Sequence, residues 1–181
     1  MVFRLTRALY RGRQFCGAVA AIFRPLTADE QTLVRRHLPE TAWPLFAAMA
    51  RADQRHSLRV LMALQARGET DRALLQAALL HDCAKRLGVR LWHRVARVLA
   101  KAFWPGYLAR LAARPAPDRT SWRYGLWLLA HHGAVGAELA AAAGCDPLAV
   151  TLIRHHEERW QATDPVVGRL LSVLQAADDD A

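Results

Sequence analysis

The sequence predicts an all-α protein, a helical bundle folded as one compact domain. Three observations lead there. Helix start and stop signals recur along the chain, whereas alternating strand patterns barely appear. Apolar residues recur at spacings of three and four, as in Val60 and Leu64 or Leu171 and Leu174. The length, 181 residues with 53 % hydrophobic side chains, suits a single core. No internal repeat, low-complexity tract or shift in composition divides the chain. No uninterrupted apolar run reaches the roughly 18 residues of a membrane-spanning helix.

Residues 1–50 are expected to form basic N-terminal helices packed on a core built by 51–181. Arg4, Arg7, Arg11 and Arg13 precede an apolar run over 15–23. That outline resembles a signal segment, but the run is short and leads to no cleavage site before a polar start, so a retained helix is expected. Thr27-Ala28-Asp29-Glu30 is a capping box, with Thr27 as cap and Glu30 reaching back, and it opens a helix over 28–36. Asp53 is the expected cap of the next helix, which runs to 67 and stops at Gly68. Asp71 caps a helix over 73–81. A basic segment, 89–114, is broken at Pro105-Gly106 and followed by the loop Pro115-Ala116-Pro117-Asp118. Ser121 is expected to open a helix to 131, and Gly133 a separate one to 143, closed by Gly144. Asp146-Pro147 and Asp164-Pro165 each set a cap before a first-turn proline, for helices over 147–156 and from 165 to the end.

Composition narrows the function classes. The formal charge is +9 and the pI about 10.6, so anions are attracted. Lys85 and Lys101 are the only lysines; an arginine-rich composition alone names no partner, and no aromatic-basic or zinc-finger signature accompanies it. Nucleic acid is therefore not the expected partner. Cys16, Cys83 and Cys145 are odd in number and form no C-x-x-C pair, which argues against a disulfide framework and for a reducing cytoplasm. Cys83 lies beside a His-Asp pair, but no positioned base activates it, and a nucleophile is not expected there.

The eight histidines are not spread evenly. His81-Asp82 ends a helix that is apolar almost all round, and ionisable groups in such a place need partners. His56 shares a stripe with Val60 and Leu64. His132 follows Leu128 by one turn, His155 and His156 end a helix beside Leu152 and Ile153, and Asp178 continues the stripe of Leu171 and Leu174. His131 is expected beside the site rather than in it, and His37 and His93 are expected to play no part. Inward His and Asp side chains on five helices are hard to explain by packing. Imidazole and carboxylate together suit Mn, Fe, Zn, Co or Mg, and the lack of thiolate argues against a structural zinc cage. Six or seven such ligands suffice for two ions sharing Asp82.

The blocks His56-Ser57-Leu58-Arg59-Val60, Leu79-Leu80-His81-Asp82-Cys83-Ala84-Lys85, His132-Gly133-Ala134-Val135-Gly136-Ala137-Glu138, His155-His156-Glu157 and Ala177-Asp178 resemble, in order and spacing, the HD-domain superfamily of metal-dependent phosphohydrolases. The resemblance spans 56–178. It implies His56, His81, Asp82 and Asp178 as ligands of a first divalent metal, with His132, His155 and His156 adding a second in binuclear members. It implies Asp82 and Lys85 as catalytic residues, with Lys85 and the weaker candidate Arg59 contacting substrate phosphate. The implied reaction is hydrolysis of a phosphomonoester or phosphodiester, a nucleotide foremost, by metal-bound hydroxide. Ala84 stands where a glycine is usual. No Gly-Tyr-Pro follows Glu157, so the cyclic-di-GMP branch is not supported, and no Glu-Asp pair follows Asp82 as in alarmone hydrolases. Asp178 lies three residues from the end of the sequence, where a helix frays.

The segment 91–111 mixes Trp92, Phe103, Trp104 and Tyr107 with Arg94, Arg97, Lys101 and Arg110. An ordinary helix with a core face and a solvated face is the expected reading. Peripheral contact with an anionic membrane is a second reading, and a lid over the site a third. An alternative to the enzyme is a metal-binding but non-catalytic signalling or scaffold module that uses this surface for a partner or a membrane.

Overall fold

A computed structural model describes residues 24–104, 106, 107, 110, 113–158 and 162–181. The helix expected over 15–23 and Cys16 lie outside these residues. The described residues form helices and turns, with no strand among them. Helix α1 spans Ala28–His37 behind the capping box, in which Glu30 N donates to Thr27 Oγ1 and Thr27 N to Glu30 Oε2. A 3₁₀ turn, Glu40–Ala42, leads into the short α2, Trp43–Ala47. Helix α3 spans Arg51–Ala66 and closes at Gly68, whose φ of 79° suits only glycine. Helix α4 is Arg72–Leu80, capped by Asp71 through Leu74 N. A second 3₁₀ turn, Cys83–Leu87, precedes α5, Leu91–Phe103. Then follow α6, Tyr124–Ala142, α7, Pro147–His155, and α8, Pro165–Asp179. Asp146 and Asp164 cap the last two as the sequence predicts, each accepting from a backbone N–H two residues on.

Helix α4 is the axis of the bundle. All its residues from Ala73 to Leu80 are buried, because α1, α2, α3, α7 and α8 each pack on it. A helix surrounded in this way must be apolar on every side. Its one polar residue past the first turn, Gln76, is used: Gln76 Oε1 accepts from Asp146 N at the start of α7. The buried cluster around it runs from Val34 to Ala177 and includes Phe46, Leu61, Leu64, Ile153 and Leu174.

Three expectations are corrected. Asp53 does not cap α3. It sits in the first turn with its side chain buried, and Arg94 of α5 donates to its Oδ2 at 2.7 Å. A buried carboxylate needs a cation more than the helix end needs a cap. Second, 121–143 holds one helix rather than two, beginning at Tyr124 and continuing through Gly133. A Cβ on Gly133 would lie 2.8 Å from the Arg154 carbonyl oxygen, and one on Gly136 would lie 3.4 Å from Ile153 Cγ2 and 3.5 Å from Cys83 Sγ. These glycines let α6 approach α7 and the turn after α4; they do not break the helix. Third, the apolar residues of α5 do not form a core face: among its described side chains the buried ones are His93 and Ala100, while Leu91, Val95, Val98 and Phe103 are exposed.

On propensity alone Gly133→Ala should stabilise the long helix α6 by about 1 kcal/mol. The close approach of α7 reverses the sign, and the expected outcome is a loss of about 1–3 kcal/mol in urea unfolding from displaced backbone. A variant more stable than the parent would contradict this packing.

Candidate metal centre

The site grows from the end of α4. Leu80 is its last helical residue, and His81 and Asp82 form the turn into the 3₁₀ segment that carries Lys85. The chain therefore delivers an imidazole and a carboxylate from the middle of the core, each at most 3 % exposed. Helices α3, α6, α7 and α8 supply the rest, and the structure brings together two sets of ligand atoms. His56, His81 and Asp178 form one, and Asp82, His132 and His156 the other. In the first, Asp178 Oδ1 lies 2.6 Å from His56 Nε2 and 3.3 Å from His81 Nε2. In the second, Asp82 Oδ1 lies 3.3 Å from His132 Nε2 and 4.0 Å from His156 Nε2. The sets adjoin, with His81 Nε2 3.7 Å from Asp82 Oδ1. The four imidazoles pack in the order His56, His81, His156, His132, edge against face, with centroids 4.9–5.3 Å apart.

The three buried histidines of the cluster share one local device. His81 Nδ1 faces the Ala78 carbonyl, His132 Nδ1 that of Leu129 and His156 Nδ1 that of Ile153, each three residues back and 2.8–3.0 Å away. A carbonyl can only accept, so Nδ1 carries the proton and Nε2 is left with its lone pair, aimed at the cluster. This is how metal-binding imidazoles are oriented. His132 Nε2 and His156 Nε2 then face each other at 3.2 Å. Two lone pairs cannot sit so close without a proton or a cation between them. Nitrogens each about 2.1 Å from one ion would be about 3.0 Å apart at a right angle and about 3.4 Å apart in a tetrahedron, so the spacing fits a shared ion. Asp82 gives a second sign. Lys85 Nζ lies 2.6 Å from both carboxylate oxygens and donates to Oδ2, while buried Oδ1 and buried His81 Nε2, the latter 3.3 Å from Asp178 Oδ1, make no well-formed hydrogen bond. These His and Asp groups can hold a metal ion.

Electrostatics agrees with the geometry. Burial works against the charge on Asp82, yet His81, Lys85 and His132 hold its carboxyl well below the usual range. Burial likewise opposes the His81 charge, but Asp82 and Asp178 outweigh it and raise the imidazole. His156 is pushed down to about 4 by burial and by His81 and His132. Without an ion, the carboxylates favour a proton on His81; an ion takes the place of that proton.

Other expected residues are placed elsewhere. His155, one residue before His156 and so turned about 100° around the helix, is in neither set; its Nδ1 lies 2.7 Å from Glu158 Oε2. Arg59 donates from Nε to the Ala181 carbonyl, so it braces the end of α8 behind Asp178. Arg67 donates likewise to Asp180 Oδ2, just past the helix. His131 lies outside the sets, stacked on Trp127. His93 is structural, accepting from Arg90 N and facing the Trp122 carbonyl. Cys83 is buried, its thiol pushed up to about 12, which leaves no thiolate for nucleophilic work. Two residues went unassigned in the sequence reading. Arg97 of α5 reaches over the cluster, donating to both Glu157 carboxylate oxygens and to the Leu129 carbonyl. With Glu157, His156 and Asp178 it lines an open cleft of about 400 Å³. The basic residue at helical spacing was visible, but its partner, sixty positions on, was not.

Long-range 1H–15N spectra of zinc-loaded protein test the orientation of the rings. His81, His132 and His156 are expected as Nδ1–H tautomers with a shifted, unprotonated Nε2. An Nε2–H tautomer at any of the three would contradict the arrangement.

A scan of the chain against models of protein families found no match, and neither did a search of curated proteins or a search of solved structures.

Proposed function

We propose that this chain is a metal-dependent phosphohydrolase acting on a phosphomonoester or phosphodiester, a nucleotide foremost. The observation that carries the reading is the pair of His/Asp ligand sets meeting at Asp82 beside Lys85. The resemblance of the five sequence blocks to the HD-domain superfamily supports it. His56, His81 and Asp178 would hold one ion and Asp82, His132 and His156 the other; Mn, Fe, Co, Mg and Zn all suit such ligands. Ions held there supply Lewis acidity toward phosphoryl oxygen and acidify a water molecule.

The chain's own residues have separate tasks. Asp82, buried and strongly acidic, fixes negative charge between the two sets. Lys85 is half-buried and bonded to Asp82, so its ammonium is pre-set at the cluster, where it can turn to a phosphate oxygen. Arg97 places a second cation on the cleft wall, held in a bidentate pair by Glu157 until an anion competes for it. The buried rings of His81, His132 and His156 keep bulk water from the inner side of the cluster. The net charge of +9 favours collection of anionic substrates.

The test is a panel of phosphate esters, nucleotides included, offered to protein loaded in turn with Mn, Fe, Co, Mg and Zn. Hydrolysis of at least one ester is expected, abolished in Asp82→Ala. Lys85→Ala should cut kcat about a hundredfold, the usual loss when one charge-stabilising donor is removed. A metal-replete protein that leaves the whole panel intact would overturn the proposal.

A further inference from the structure

Helix α5 is mounted on the bundle the wrong way round for an ordinary surface helix. Leu91 is 74 % exposed, Val98 67 % and Phe103 68 %, and Trp92, Val95 and Leu99 are exposed with them. At about 100° per residue these six side chains share one face about 140° wide. The opposite side, buried His93 and Ala100 with the paired Arg97, is what meets the body of the protein. Exposed Trp104, 6.0 Å from Phe103, and exposed Tyr107 follow the helix, and Trp122, 6.3 Å from Trp92, widens the face at the N-terminal end. A contiguous apolar surface of this kind marks an interaction site.

The charge around it says what the partner is. From Cys83 to Ala137 the chain carries ten arginines and lysines against one acid, Asp118; that excess of nine equals the formal net charge of the whole chain, +9. Arg90, Arg110, Arg119 and Arg123 are exposed; Arg90 and Arg119 line a cleft with Trp92 and Trp122, and the Arg123 guanidinium lies over the Trp122 ring. We propose that α5 seats the protein on an anionic lipid surface, with Leu91, Val95, Val98, Leu99 and Phe103 in the acyl boundary and the arginines among the headgroup phosphates. Tryptophans at both ends of the face suit the headgroup level. A second copy would bring two strongly basic rims together. No helix among the described residues is long and apolar enough to cross a membrane. The apolar face lies on the side of α5 away from Arg97, the residue that reaches the cleft at the metal site.

The full-length chain is sedimented with vesicles of phosphatidylcholine alone and of phosphatidylcholine mixed with phosphatidylglycerol. Binding is expected only to the mixed vesicles, weaker at high salt. Replacing exposed Val98→Asp and Phe103→Ser should weaken it about tenfold per side chain, whereas Met62→Ser, exposed on α3, should not. Brominated acyl chains should quench tryptophan fluorescence in the unaltered protein, a readout that does not depend on any variant folding. No sedimentation, no quenching, or full binding by a folded double variant would overturn the proposal. So would a dimer that the double variant converts to monomer, since the face would then belong to a second copy.

Discussion

The Asp82 carboxylate is the constraint around which the rest is arranged. It lies within the core, with the Lys85 ammonium 2.6 Å from both oxygens, and its Oδ1, among three imidazoles, accepts no well-formed hydrogen bond. An ionised group taken out of water costs several kcal/mol unless positive charge and hydrogen bonds replace the lost hydration. Lys85 supplies part of that. The histidines supply more only if they carry protons, and the backbone carbonyls behind His81, His132 and His156 have already turned the other ring nitrogen inward. A cation at the cluster satisfies the carboxylate and separates the facing nitrogens of His132 and His156 in one step.

The fold serves that arrangement through close packing. Because α4 is buried on every side, it can carry His81 and Asp82 into the interior only by ending there. Gly133 and Gly136 let α6 settle on α7 and on the turn after α4, and this brings His132 within 3.2 Å of His156. Gln175 of α8 donates to the carbonyls of His156 and Glu158, so the end of α7 is held from the other side. Arg59 and Arg67 fix the last residues of α8 and with them Asp178. Rings held by backbone and by several helices lose little freedom when they bind a ligand.

Much of this was legible in the sequence where the signal is local. The capping box at Thr27 and Glu30 and the caps at Asp71, Asp146 and Asp164 each depend on a few neighbouring residues, and each is formed. Helical register was enough to turn His132 and Asp178 toward the cluster. What was misread depends on distant partners. Gly133 looked like a helix boundary because its reason lies at Arg154, twenty-one residues on. Asp53 looked like a cap because Arg94 is forty-one residues away. The His155-His156 doublet could not be divided without knowing which side of α7 faces α6. The outward apolar face of α5 could not be foreseen either, because hydrophobic periodicity shows that a helix has two faces but not which of them is buried.

The most direct test of the metal centre is elemental analysis of the purified protein beside Asp82→Ala. The account requires one or two equivalents of a divalent metal in the parent and their loss in the variant, with both proteins folded. Two equivalents would fill both ligand sets, and one would fill the set that Asp82 completes. No metal in the parent, even after anaerobic reconstitution with Mn and Fe, would contradict it: the buried His/Asp cluster would then be neutralised by protons alone.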